Sequence, residues 1–317
     1  MKRILLSRPL SNSVIAAARD VFEVEIREKQ TPMSSAEMRA SLALYDAVIP
    51  TLGDAYSAKT FQNFSSPRCR ILANFGEDYS HIDVAAARKI GICVTNTPGA
   101  VTDATADIAL TLILMSCRRA GEGERLVRGN HWRGWQPTQM LGQHVTGKTV
   151  GIIGMGRIGV AIARRCHFGF DMPIVYFNRS AKLIKLPAQQ LYSLSDLAAA
   201  SDVVVVAESG GQSSYHLVGT EVFRKMKPTA HLVNVSRGDI VDEASLIEAL
   251  QTRQIAGAGL DVYEHEPNVP DSLKQLEQVT LLPHLGTAAH EVREAMGLLA
   301  LANVVAHLQG DDPPNLV

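Results

Sequence analysis

The chain has 317 residues, of which 46% are hydrophobic and 20% charged, and its formal net charge is −1. That apolar content excludes an intrinsically disordered chain, and the length suits two ordinary domains with sizeable cores. Without a basic excess or a charged tail, the expected partner is a small molecule and not nucleic acid.

Residues 1–10 lack a long apolar run and lead into Ser11-Asn12-Ser13, so they read as a first strand and not as a signal peptide. Short runs rich in β-branched residues predict strands at 3–6, 24–26, 47–49, 71–73 and 92–95. Helical spacing falls between them at 13–20, 35–44 and 84–90. Such alternation implies an α/β fold, with parallel strands joined by crossover helices. After Asn96-Thr97-Pro98-Gly99 the pattern resets into a long helix over 102–119, for which Thr102 or Asp103 is the expected cap. Its apolar part, 108–117, is too short to span a bilayer, which needs about 20 residues. Helical character continues over 121–128, and a loop rich in Gly, Trp, Gln and Pro follows over 129–147.

A second alternating series then predicts strands at 149–153, 174–177, 203–207, 231–235, 256–260 and 279–282. Its helices are expected near 157–168, 221–226, 243–251 and 288–308. The last helix comes after the second series closes, so it is expected to return to the first domain. This gives one domain from residues 1–99 and 288–317 and another from residues 100–287, with a cleft between them as the natural ligand site. Cys69, Cys93, Cys117 and Cys166 stand far apart, with no C-x-x-C pair. Neither zinc nor a disulfide framework is expected, and free thiols suit a reducing cytoplasm.

The first chemical signal is the run Gly154-Met155-Gly156-Arg157-Ile158-Gly159. It is a G-x-G-x-x-G turn between a predicted strand and a predicted helix, the context that dinucleotide binding requires. Gly154 permits the tight turn, Gly156 lets backbone approach a pyrophosphate, and Gly159 lets helix and strand pack closely. The helix start then offers free amides to the phosphates. The next strand ends in Asn178-Arg179-Ser180, where NAD readers carry an acid for the ribose 2′-hydroxyl. Without that carboxylate, and with a guanidinium able to fork onto a 2′-phosphate, the expected cofactor is NADP, with NAD at lower preference.

Three further segments each end a strand of the second series: Asn234-Val235-Ser236-Arg237-Gly238, then 259–267 with Asp261 and Glu266, then Pro283-His284-Leu285-Gly286. Strand C-termini gather at the ligand crevice of a doubly wound sheet, so Arg237, Glu266 and His284 form a plausible acid/base group.

With these motifs in this order, joined by Thr97-Pro98-Gly99 and 102–107, the chain resembles the D-2-hydroxyacid dehydrogenase family from about Ile71 onward. It is most similar to the glyoxylate/hydroxypyruvate reductase branch. The resemblance implies two doubly wound parallel-sheet domains, a Rossmann dinucleotide-binding domain inserted in a flavodoxin-like substrate domain, and a homodimer. It implies NADPH-dependent reduction of a small 2-oxo acid to the D-2-hydroxy acid. Arg237 would hold the substrate carboxylate and His284 would protonate the forming alkoxide. Glu266 would orient the imidazole, because a nearby anion stabilises imidazolium. Asp261 would lie near the nicotinamide, while Thr105, Ser209, Val235 and Gly286 would line the cofactor cleft.

One departure concerns the loop that donates amides to the substrate carboxylate. The family has Gly-Val-Gly or similar, and this chain has Gly76-Glu77-Asp78. Either both carboxyl groups turn to solvent, or they favour a substrate with a cationic or hydroxylated far end. The segment 132–140 resembles a loop that reaches a neighbouring subunit, with Trp135 and Met140 as candidates to shape the pocket. The competing readings are a dehydrogenase of the same fold acting on formate or phosphite, and a dinucleotide-sensing regulator.

Overall fold

Every strand pairing within the two sheets is parallel, because the segment after each strand crosses back to the end of the sheet where strands begin. The computed structural model describes residues 1–64 and 66–317. Contacts divide the chain into two compact units, Met1–Val101 with Ala288–Val317, and Thr102–Thr287.

The first unit holds β1 (Arg3–Leu6), β2 (Glu23–Ile26), β3 (Ala47–Ile49), β4 (Ile71–Ala73) and β5 (Cys93–Thr95), ordered β2-β1-β3-β4-β5. Alternate residues feed opposite faces. Leu5, Val48 and Leu72 join one buried cluster, while Ile4, Leu6, Ile49 and Ile71 join the other. The second cluster is completed by Ala300, Leu301 and Val304 from the helix His290–Gln309. The chain end is also part of this unit. Leu316 bridges Thr95 in antiparallel sense, and Val317 N–H donates to Val94 O. Ser34 and Glu37 form a reciprocal capping box that starts the helix Ser35–Leu44.

The second unit holds β6 (Val150–Ile153), β7 (Ile174–Phe177), β8 (Gln189–Leu191), β9 (Val203–Val206), β10 (His231–Asn234), β11 (Gly257–Leu260) and β12 (Val279–Leu281). Their order, β12-β11-β10-β9-β6-β7-β8, reverses direction between β6 and β9. β6, β9, β10 and β11 are buried throughout, as strands covered on both faces should be. Val204 and Val206 pack into one cluster, and Val203 and Val205 into the other. The helix Thr102–Cys117 buries Thr105, Ala109, Leu112 and Ser116, one stripe at helical spacing, against the second cluster. Arg165 ties this helix to the helix Arg157–Phe170 through Asp103 at 3.0 Å and Asp107 at 2.7 Å.

The structure differs from the sequence reading at several places. Neither Thr102 nor Asp103 caps the long helix. The Thr102 hydroxyl is buried without a hydrogen bond, and the Asp103 carboxylate is taken by Arg165. That helix stops at Cys117, because Arg119 turns left-handed at φ 54° before the helix Ala120–Arg128 starts. β8 and the helix Leu194–Ala200 have no counterpart in the sequence reading. All four cysteines are free, and Cys69, Cys117 and Cys166 are buried. Among the described residues no helix is long and apolar enough to cross a membrane.

Candidate active site

The second sheet carries a group of functional side chains on the loops that leave the C-terminal ends of its strands. After β6 the chain enters the glycine turn. Gly154 sits at φ 93°, and a Cβ there would stand 2.5 Å from the Glu208 backbone after β9. Gly159 is buried in the helix Arg157–Phe170, and its Cβ would stand 2.1 Å from Gly154 O. The fold itself therefore demands both glycines. Gly156 is different. Its backbone is extended at φ −81° and ψ −164°, which any residue adopts, and a Cβ there would meet nothing within 4 Å. The protein gives no internal reason for glycine at 156, whereas a pyrophosphate lying on the turn does. Arg157 and Ile158 open the helix, whose start has no side-chain cap. The residues present thus fit a dinucleotide.

At the end of β7, Asn178 turns its carboxamide inward. Its Oδ1 accepts Met155 N–H at 3.1 Å, and its Nδ2 donates to Ser180 O at 2.8 Å. Asn178 therefore ties the glycine turn to the strand end, a bond that the sequence reading did not foresee. The Arg179 side chain is 71% exposed. Ser209 follows β9, and its carbonyl accepts the Ser214 hydroxyl at 2.8 Å.

The acid/base group is built from three strand ends. Arg237 follows β10, and its carbonyl accepts Asn234 Nδ2 at 2.9 Å. Gly238 presses this loop onto the next one, since a Cβ there would stand 1.9 Å from the Tyr263 carbonyl carbon. Glu266 Oε1 accepts Tyr263 N–H at 3.1 Å, and Glu266 Oε2 accepts His284 Nδ1–H at 2.8 Å. Burial alone would raise the Glu266 pKa. The His284 bond and charge, the Tyr263 N–H and the Arg237 charge outweigh it and hold the carboxyl below its usual value. An ionised Glu266 can only accept, so His284 carries hydrogen on Nδ1 and presents Nε2 outward.

Asp261 fixes where the imidazole stands. It is 1% exposed. Its carbonyl accepts His284 N–H at 2.9 Å, while its carboxylate accepts Leu285 N–H at 2.7 Å and Gly286 N–H at 2.8 Å. These bonds hold His284 at φ 54°, a left-handed conformation that is costly for a residue with Cβ. Burial raises the Asp261 pKa, and the Glu266 charge adds to that, against the pull of the Leu285 and Gly286 amides and the His284 charge. Thr105 donates to Gly286 O at 3.3 Å, and Val235 is buried beside Asn234 after β10. The structure thus brings together Arg237, Asp261, Glu266, His284, Thr105 and Gly286. The sequence reading passed over Tyr263, whose hydroxyl donates to Leu282 O at 2.8 Å and ties the Glu266 loop to the strand end before His284.

Glu77 and Asp78 belong to the first unit, in the loop after β4. Neither side chain simply faces water. Glu77 Oε2 accepts Gly99 N–H at 3.3 Å, and Asp78 accepts both Ser80 N–H and the Ser80 hydroxyl. Asn74 Nδ2 donates to Gly76 O and Asp78 O, and Asn96 Nδ2 to Glu77 O, so the loop backbone is held from two strand ends. Trp135 is 80% exposed and Met140 lies at φ 51°. Among the described residues no three His, Cys, Asp or Glu side chains are grouped to hold a metal ion.

Residues 110–286 match the D-isomer specific 2-hydroxyacid dehydrogenase, NAD binding domain. Over 321 residues the chain is 39% identical to the glyoxylate reductase of Thermococcus onnurineus, covering 99% of this chain and 95% of that one. The glyoxylate reductase of Korarchaeum cryptofilum is 40% identical over 319 residues, with the same 99% and 95% covered. Among solved structures, the NADPH-dependent glyoxylate/hydroxypyruvate reductase of Sinorhizobium meliloti, in complex with NADP and malonate, is similar at a TM-score of 0.88 and 34% identity. It covers 100% of this chain and 96% of that one. With this match along its length, and with the strand-end motifs assembled in one sheet, the chain belongs to the D-isomer specific 2-hydroxyacid dehydrogenase family of NAD(P)-dependent oxidoreductases acting on CH–OH groups.

Proposed function

We propose that the protein reduces a small 2-oxo acid of the glyoxylate or hydroxypyruvate type to the D-2-hydroxy acid, with NADPH as the preferred cofactor and NADH used less well. The observation that carries this is the His284–Glu266 bond of 2.8 Å, in a loop system that also includes Arg237. NADPH supplies the hydride. Arg237 receives the substrate carboxylate in its fork and polarises the 2-oxo group. His284 Nε2 gives its proton to the carbonyl oxygen as negative charge grows there, while Glu266, ionised and bonded at Nδ1, keeps the imidazolium oriented. Asp261, Thr105 and Gly286 border the place of the nicotinamide, and Ser209 and Val235 line the rest of the nucleotide path. Asn178, Arg179 and Ser180 read the adenosine ribose, where a guanidinium in place of an acid supports the 2′-phosphate. Glu77 and Asp78 shape the substrate end through the loop that their backbone forms. Val127, Trp132, Trp135 and Leu141 are exposed apolar side chains close together in sequence, which supports a homodimer.

The test is the loss of NADPH absorbance with a panel of 2-oxo acids, repeated with NADH. Turnover of short, singly charged 2-oxo acids with a higher kcat/KM for NADPH is expected. Tight NADPH binding without turnover of any 2-oxo acid would overturn the reaction in favour of a dinucleotide sensor. A higher kcat/KM for NADH would overturn the cofactor preference.

A further inference from the structure

The residue after β9 and Ala207 is an acid, Glu208, and it stands at the point between β6 and β9 where the sheet reverses direction. Its backbone is pressed against the glycine turn, with its nitrogen and Cα 2.5 Å from where a Gly154 Cβ would be. The Ser236 hydroxyl donates to its carbonyl, which fixes it from the β10 side as well. The Glu208 side chain is only 14% exposed, and its backbone borders the glycine turn that would carry the pyrophosphate. Arg179 reaches back to it from the end of β7. Arg179 Nη2 lies 3.6 Å from Glu208 Oε1, and Nη1 donates to Ser213 Oγ at 3.4 Å. A largely buried acid therefore holds an exposed cation, and that cation is the one expected to meet the 2′-phosphate.

We propose that Glu208 is a specificity-determining residue that holds Arg179 as an exchangeable counter-ion, so that a 2′-phosphate must draw the guanidinium away from it. This rests on the NADPH reading above. The sign follows from electrostatics. Glu208 opposes a 2′-phosphate twice, by repelling it and by competing for Arg179. A nucleotide with a free 2′-hydroxyl leaves the pair in place and meets only the general effect of one negative charge. Glu208 therefore lowers discrimination between the two cofactors and keeps NADH usable.

Calorimetric titration of the intact protein with 2′,5′-ADP and with 5′-AMP measures this without turnover, in wild type, Glu208→Gln, Arg179→Ala and the double variant. Glu208→Gln keeps the shape of the side chain and removes its charge. The ratio of 2′,5′-ADP to 5′-AMP affinity should rise about two- to fivefold in Glu208→Gln, the size expected when one partly exposed ion pair is released. In the Arg179→Ala background the same substitution should raise the ratio less, because competition for the guanidinium is gone and only the direct repulsion remains. An unchanged or lower ratio in Glu208→Gln, with Arg179→Ala still collapsing it, overturns the role of Glu208 and leaves the NADPH preference standing. So does an equal rise in both backgrounds, which would be a general charge effect. If wild type binds the two nucleotides equally and Arg179→Ala changes neither, the NADPH reading fails, and this role with it.

Discussion

His284 illustrates how a single side chain is prepared at the residue scale. Its backbone is left-handed, its amide is held by Asp261 O, and its Nδ1 is held by Glu266, so only Nε2 is free to meet a substrate. His284→Ala should lower turnover by about 10²–10⁴-fold, the usual worth of a general acid, while 2′,5′-ADP affinity stays nearly constant. Glu266→Gln probes the same device through pH. Glu266 is held below its usual value by the His284 bond and charge against the cost of burial, so it stays ionised, and the pair intact, until pH falls below the usual carboxylate range. Glu266→Gln cannot ionise, so the acid-side fall of the reduction rate that follows protonation of Glu266 should be absent, at a lower overall rate. Steady-state rates across pH for both variants check this. An acid-side fall that persists unchanged in Glu266→Gln, or a His284→Ala variant that keeps most of its activity, would remove the pair from the mechanism.

The glycine turn between β6 and its helix shows at the element scale which residues serve the fold and which a ligand. In Gly159→Ala the new Cβ would stand 2.1 Å from Gly154 O, so backbone must shift. A loss of about 1–3 kcal/mol is expected, as for other overpacked sites. In Gly156→Ala the Cβ meets open space, so thermal stability should be unchanged, while 2′,5′-ADP affinity should fall by about tenfold or more, about 1.4 kcal/mol. Thermal melts and calorimetry on both variants separate the two effects, and equal behaviour would contradict the assignment. The same turn was legible in the sequence, because glycine spacing inside a strand–helix boundary is a local pattern. So were the buried strands, whose valine and isoleucine runs have no other use. β8 was not, because Gln189-Gln190-Leu191 is short, polar and at the sheet edge, where no burial pattern forms. The helix Leu194–Ala200 could have been found from Ser193, whose hydroxyl accepts Asp196 N–H, since a serine three residues before an acid is a start signal. Thr102 carries the same kind of hydroxyl but begins the helix instead of preceding it, so it has no free amide to accept from. The site was legible as Arg237, Glu266 and His284, each marked by a strand end. The Arg179–Glu208 pair was not, because its partners are 29 positions apart and only the sheet order brings them together.

At the scale of the whole molecule, the chain order makes the two units unequal. Thr102–Thr287 is continuous, and both of its core clusters are drawn wholly from its own residues. The other unit is interrupted, and both of its clusters take side chains from the chain end, Ala300, Leu301 and Val304 in one and Val317 in the other. A fragment of residues 102–287 should therefore fold alone, whereas residues 1–101 should not unfold cooperatively unless residues 288–317 are supplied. The glycine turn, Asn178 and Arg179 all lie inside the continuous fragment, so it should also bind nucleotide. Ligand at about one hundred times its dissociation constant adds about 2.7 kcal/mol to a folded state that alone binds it, which is roughly 5–10 °C in Tm for a fragment of this size. Far-UV circular dichroism melts of each fragment, with and without 2′,5′-ADP, measure all of this. A melt of the 102–287 fragment without a cooperative transition, or a cooperative melt of residues 1–101 alone, would show that the cores do not divide as the contacts do. A cooperative 102–287 fragment whose Tm ignores 2′,5′-ADP would place an essential part of the nucleotide site outside it.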